Sequence, residues 1–340
     1  MPLLSSNLWF LLKKLYKYDS YNLRAFLYCK RKNYKKGVAL HKQNSRKRFD
    51  IFRCPAKGRY ASYPFLVKSN GDVFLFYYTF IFAKGWKVYV CKNFKENYLL
   101  TVDGMANRGA TGLMFRDRLY AILHSGEHSG RELKMLSFDP QHHIAEEKKV
   151  QFEKLHGDFN YPFFVDDNHG NLILLFSTKK DSAFRNYFAV SKDLEKWSEP
   201  KEINLIGNKG RRMACVKDHL NLFHMVWEVE KNILYSFSRD FMNWETPLCV
   251  DDNSQRPKIS TVNGAILVAY EKQEEDVYYI ILSKVESGDV TKHIIHNSKE
   301  EISRPSNCID YEDKLVVSWS KFVLLNKIIE YKFLDKQDIL

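Results

Sequence analysis

Residues 161–200, YPFFVDDNHGNLILLFSTKKDSAFRNYFAVSKDLEKWSEP, hold one complete copy of a unit that recurs along most of the chain. An extended Tyr161-Pro162 opening leads into an apolar run and an Asn168-His169-Gly170 turn. A second apolar run over Leu172–Phe176, a polar loop and a third run over Tyr187–Ser191 follow, and the unit closes on a Lys-Asp-Leu-Glu-Lys-Trp tail at Trp197. Short apolar runs separated by turn residues are the pattern of antiparallel strands.

The same opening returns at Tyr63-Pro64, around Thr111, and at Arg212-Met213, Arg256-Pro257 and Arg304-Pro305, with successive spacings of 48, 50, 51, 44 and 48 residues. The tail returns between Ser238 and Trp244, with Asp240 in the same place, and more loosely between Cys91 and Tyr98. Six evenly spaced units of three or four strands each predict an all-β fold, a six-bladed β-propeller. The last unit offers three strands only. A strand within residues 37–54 is expected to supply its fourth, which closes the ring and leaves no open edge. The expected organisation is a basic helical segment over 1–35 and a propeller over 36–340.

Composition fits this reading. At 340 residues the chain can bury a large core, and aromatics at 15%, with 20 Tyr and 24 Phe, suit the half-buried positions of packed blades. No run of 18 apolar residues is present, so no stretch reads as a membrane-spanning helix. Cysteines at 29, 54, 91, 215, 249 and 308 form no CxxC pair, giving neither a zinc signature nor a disulfide framework. A reducing, cytoplasmic setting is expected, and no metal or cofactor site has the spacing to be named.

Charge is unevenly spread. Residues 1–60 carry 16 Lys/Arg against Asp19 and Asp50, a net +14, whereas the other 280 carry 37 basic and 39 acidic residues, a net −2. Within the basic segment Leu8, Leu11, Leu12, Leu15, Leu23, Phe26 and Leu27 recur at roughly helical spacing. Lysines follow the apolar stretch rather than precede it, unlike a signal peptide. Two readings stand: a helix through residues 3–36 lying on an anionic membrane surface with Trp9, Tyr16 and Tyr18 at headgroup level, or a helix whose apolar side packs on the propeller. Nothing in the propeller units supports nucleic-acid binding, and none is expected.

The tails carry a family resemblance. Ser191, Asp193 and Trp197, with Ser238, Asp240 and Trp244, resemble the Asp-box (BNR) repeat of sialidase-like propellers, with Leu-Glu or Phe-Met where the box usually has glycine. The phrase also resembles five-bladed furanosidase-type glycosidases, against which six even units argue. In such a turn the Asp ties the backbone and the Trp packs between strands, so these residues are read as structural.

If each first strand is innermost and runs away from the ligand face, the strand starts and the loops between second and third strands share that face. Tyr63, Thr111, Tyr161, Arg212, Arg256 and Arg304 then surround the mouth of the central channel. Three arginines from consecutive blades can clamp a carboxylate by bidentate hydrogen bonds, and the arginine triad of sialidases is similar. The chain departs from sialidases in the first blade, where their R-I-P phrase is replaced by Ser62-Tyr63-Pro64.

The second-to-third-strand segments are expected to add His124, Glu127, His128, Glu228 and Glu271. A retaining glycosidase of the resembled type would pair Tyr63 or Tyr161 with Glu228 or Glu271. A uronate lyase, also found on similar propellers, would use His124, His128, Tyr161 and Arg212 as its acid, base and charge neutraliser. The expected activity is recognition or cleavage of an acidic carbohydrate. A non-catalytic glycan-binding or assembly protein at a membrane surface, and a protein-interaction scaffold, are the alternatives.

Overall fold

The computed structural model describes residues 51–340 except 59, 82–84, 102–107, 127–129, 181–182, 204–209 and 324–325, and gives backbone alone for 108–110, 180 and 183. The expected helix over 1–35, the membrane contact through 3–36 and most of the interval proposed for the closing strand lie outside the described residues.

Six antiparallel sheets follow one another along the chain. Blade A comprises β2 (Ser62–Ser69), β3 (Asp72–Ile81), β4 (Gly85–Lys92) and β5 (Glu96–Leu99). Blade B comprises β6 (Arg108–Phe115), β7 (Arg118–Ser125), β8 (Glu132–Asp139) and β9 (Ile144–Val150). Blade C runs from β10 (Phe159–Asp166) through β11 (Leu172–Lys180) and β12 (Ala183–Ser191) to β13 (Lys201–Glu202). Blade D runs from β14 (Arg211–Lys217) through β15 (Phe223–Val229) and β16 (Asn232–Ser238) to β17 (Leu248–Asp251). Blade E runs from β18 (Ser254–Val262) through β19 (Ala265–Glu274) and β20 (Val277–Glu286) to β21 (Asp289–Ser298).

Blade F is built from both ends of the propeller. Its inner strand is split into β22 (Ile302–Ser303) and β23 (Ile309–Tyr311), followed by β24 (Lys314–Val323) and β25 (Asn326–Asp335). Its outer strand is β1 (Ile51–Arg53), antiparallel to β25 with Phe52 opposite Tyr331. The ring is therefore closed by an N-terminal strand, as the three-stranded last unit implied. Across the seam Phe94 of blade A stacks on Tyr331 at 4.0 Å between ring centroids. A 3-10 turn, Lys336–Asp338, follows β25.

Local turn chemistry explains where strands end. Asn70-Gly71 and Asn263-Gly264 both take positive φ at each residue, the geometry of a type I′ hairpin. At the third-strand exits, Asp193 Oδ1 accepts the N–H groups of Glu195 and Lys196, each at 2.8 Å. Asp240 Oδ1 likewise accepts those of Met242 and Asn243 at 2.9 and 2.8 Å. Leu194 and Phe241 sit at φ +64° and +66° in these turns, and both side chains are buried. Left-handed backbone without glycine is offset there by apolar burial.

Candidate functional site

Five of the six inner strands carry a β-bulge near their start, and the sixth, in blade F, is split there instead. Register shifts fall between Ser62 and Phe65, Arg108 and Thr111, Asn160 and Phe163, Arg211 and Ala214, and Gln255 and Lys258. The first bulged residue takes left-handed φ in blade A (Tyr63, +55°), blade C (Tyr161, +51°), blade D (Arg212, +55°) and blade E (Arg256, +58°). Arg304 of blade F takes the same conformation at +59°. Such backbone is costly for residues with a Cβ and persists only where the surroundings fix it. In blade B the register puts the bulge at Gly109-Ala110. The sequence alignment through Thr111 is thus two residues late, and Thr111 belongs to the next layer down.

In blades E and F a carboxylate of the preceding blade holds the left-handed residue. Glu228, fully buried on β15, accepts the Arg256 N–H at 3.0 Å and also the Arg212 guanidinium on Oε2, at 2.5 Å. Its Oε1 takes Arg211 Nε at 2.8 Å. Glu271 of β19 repeats the arrangement one blade later, accepting the Arg304 N–H on Oε2 and the Arg256 guanidinium on Oε1. Burial pushes the Glu228 carboxyl up, but the Arg212 charge, the Arg256 N–H and the Arg211 charge outweigh it and hold the group below the usual glutamate range.

Arg304 is held differently. Its Nη1 donates to Ser62 Oγ at 2.7 Å and to Tyr78 Oη at 3.3 Å, and its guanidinium lies over the Tyr63 ring at 4.0 Å. It is buried, and its Nε meets no hydrogen-bond acceptor among the described residues. Arg212 lies over Tyr161 at 5.4 Å. These bulge residues, with Pro64, Pro162, Met213, Pro257 and Pro305, line one shallow depression at the channel mouth. Cations occupy the D–E–F side and tyrosines the A and C positions.

Below this layer the channel is filled. Phe65 of blade A meets Phe163 of blade C edge to face at 5.7 Å, and Lys258 of blade E places its ammonium 5.6 and 5.5 Å from those two rings. Thr111, Ala214 and Ser306 hold the smaller intervening positions, so large and small residues alternate around the axis. Lys258 also lines the depression. Burial and the nearby Arg212 charge push its pKa down to about 8. The sequence reading missed it; its place two residues after Arg256 on an inner strand was the available signal.

The structure brings together Tyr63, Thr111, Tyr161, Arg212, Arg256 and Arg304 at one cavity. His124, Glu228 and Glu271 lie in strands β7, β15 and β19 rather than in the loops expected for them, and all three are buried and do not line it. They share one position, opposite the residue that precedes the bulge: Arg108 faces His124, Arg211 faces Glu228 and Gln255 faces Glu271. The second strand continues past the pre-bulge residue by pairing with it, and this is why strand replaces loop there. Glu127 and His128 lie outside the described residues. Among the described residues, no group of three or more His, Cys, Asp or Glu side chains could hold a metal ion.

No family model matches the sequence, and no curated protein matches it. Solved structures do match the fold. A sialidase of Trypanosoma rangeli, in complex with 2,3-difluorosialic acid, superposes with a TM-score of 0.60 at 12% identity over 80% of this chain and 54% of that one. The phage phi92 endosialidase gives 0.64 at 9% identity over 86% and 70%, and an α-L-arabinofuranosidase of Fusarium graminearum gives 0.61 at 12% over 85% and 98%. The chain spans about half the length of the trypanosomal sialidase. The six-bladed, sialidase-like propeller expected from the repeats is the observed fold, and at these identities the likeness is one of fold.

Proposed function

We propose that the chain recognises an acidic carbohydrate, whose carboxylate enters the depression between Arg212, Arg256 and Arg304. The observation that carries this reading is the charge balance around the cavity. Glu228 pairs with Arg211 and Arg212, and Glu271 with Arg256, whereas the buried Arg304 guanidinium, among the described residues, donates to Ser62 and Tyr78 and lies over Tyr63, with no carboxylate of its own in ion-pair contact. Four guanidiniums, Arg211, Arg212, Arg256 and Arg304, thus share two buried carboxylates, and an anionic ligand offsets the surplus positive charge. The fold's likeness to sialidases, an endosialidase and an arabinofuranosidase supports a carbohydrate as the ligand. Tyr63, Tyr161 and the proline rings supply apolar faces for a sugar ring.

Recognition is favoured over cleavage by the placement of Glu228 and Glu271. Both are committed to arginines and to inter-blade N–H groups, and neither reaches the cavity, so neither is positioned to take a proton from a substrate or a tyrosine. Cleavage, as a second reading, assigns the nucleophile to Tyr63, which Arg304 overlies at 4.0 Å. Calorimetry with acidic and neutral sugars, followed by product analysis of the same mixtures, tests both readings. An acidic sugar that binds without product supports the first, product supports the second, and the absence of binding by any acidic sugar contradicts the proposal.

A further inference from the structure

Lys258 occupies a place that the pattern of the ring reserves for an aromatic residue. In the layer beneath the arginines, alternate blades A, C and E contribute large side chains, and two of them, Phe65 and Phe163, form an apolar plug. The third is a lysine whose ammonium faces the two rings and, among the described residues, makes no hydrogen bond or ion pair. Two cation–π contacts do not replace the hydration of an ammonium. An amine seated in this way exists partly unprotonated near neutral pH, and a neutral amine is a nucleophile rather than an anion ligand.

We propose that Lys258 is a nucleophilic amine at the floor of the arginine-lined cavity and that the site takes an α-keto acid, such as the open-chain form of a free 2-keto sugar acid, as an imine. This rests on the reading of the cavity as a carboxylate site. The arginines hold the carboxylate, and the adjacent keto carbon faces the amine below. The Lys258 nitrogen lone pair forms a C–N bond as the C=O π pair moves to oxygen, and proton transfer from nitrogen to oxygen gives a carbinolamine. Loss of that hydroxyl as water, with the second N–H proton, leaves the C=N bond. No oxidant or reductant takes part. Burial and the Arg212 charge, which lower the lysine pKa to about 8, supply the unprotonated fraction. Phe65 and Phe163 shield the imine carbon from water on the channel side.

The test uses pyruvate, the smallest α-keto acid, with sodium cyanoborohydride, which reduces the imine to a stable secondary amine readable by intact mass and peptide mapping. The expected result is one adduct on Lys258, heavier by one pyruvic acid less one oxygen atom. Lactate, which offers the carboxylate without the carbonyl, is expected to slow its formation. The adduct is expected to be lost in Lys258→Met and in Arg304→Met, the latter keeping the lysine and removing the clamp. Pyruvate or a free 2-keto sugar acid that binds by calorimetry without a Lys258 adduct overturns the imine and leaves the carboxylate site standing. Absence of both binding and adduct overturns both. An adduct spread over surface lysines, unchanged in Lys258→Met, overturns the imine. The wild-type peptide map alone decides the matter if either variant fails to fold.

Discussion

Glu228 of blade D accepts the backbone N–H of Arg256 in blade E, at 3.0 Å, on the oxygen that also holds the Arg212 guanidinium. One buried carboxylate thus fixes a left-handed residue in the next blade and orients an arginine of its own. Glu271 does the same for Arg304. The arginine side of the cavity is therefore set by two carboxylates acting from one blade to the next, and the strain at Arg256 and Arg304 is opposed by an inter-blade hydrogen bond.

Removing Glu228 should be felt as stability. Glu228→Ala leaves Arg211 and Arg212 without their buried partner and is expected to cost about 3–5 kcal/mol, measured by urea unfolding. A loss under about 1 kcal/mol would show that the carboxylate is replaceable by water.

The same carboxylate makes a pH prediction. Its folded pKa lies below the ordinary glutamate value of about 4.3, so its stabilisation is fully present above that value and is lost as pH falls through the lower folded one. The stability gap between wild type and Glu228→Gln should be constant from pH 7 to about 5 and shrink below about 4. A gap that widens with acid contradicts the assignment.

His296 of β21 should act in the opposite range. It stacks on Trp319 at 5.1 Å between centroids, and burial with the Lys321 and Lys332 charges pushes its pKa down to about 4. Because the unfolded chain binds this proton near pH 6.5 and the folded one near 4, wild-type stability should fall between those values, by about 1–2 kcal/mol after solvent screening. His296→Phe should remove that fall, as read from melting temperatures across the interval.

Gly112 marks a close blade contact. A Cβ built there would lie 2.6 Å from the Phe76 ring. Gly112→Ala is expected to cost about 1–3 kcal/mol by overpacking between blades A and B, and Phe76→Leu in the same background should recover part of it. Equal stability of Gly112→Ala and wild type would refute this packing.

The architecture was legible because a propeller repeats. Six openings at near-constant spacing, hairpin turns such as Asn263-Gly264 and a last unit one strand short led to the ring and its closure by β1. The starts of the inner strands were visible only in part: Tyr-Pro and Arg-Pro mark four of the six, but Gly109-Ala110 carries neither signature, and the reading slid to Thr111. Glu228 and Glu271 were found as residues and misplaced as loop groups, because an acid in an apolar strand has no local pattern that reveals a partner in the next blade. Lys258 was overlooked for the same reason. Its meaning depends on Phe65 and Phe163, which lie roughly 190 and 100 residues away in sequence and meet it only when the ring closes.

The most direct measurement is calorimetric titration of wild type and Arg304→Met with a panel of free sialic and uronic acids and their neutral analogues. The account predicts that an acidic member binds wild type, that its neutral analogue does not, and that loss of this charge-assisted contact weakens binding by 2–5 kcal/mol, about 30-fold or more. An acidic sugar that binds Arg304→Met as tightly as wild type, with the variant folded, would contradict the carboxylate site.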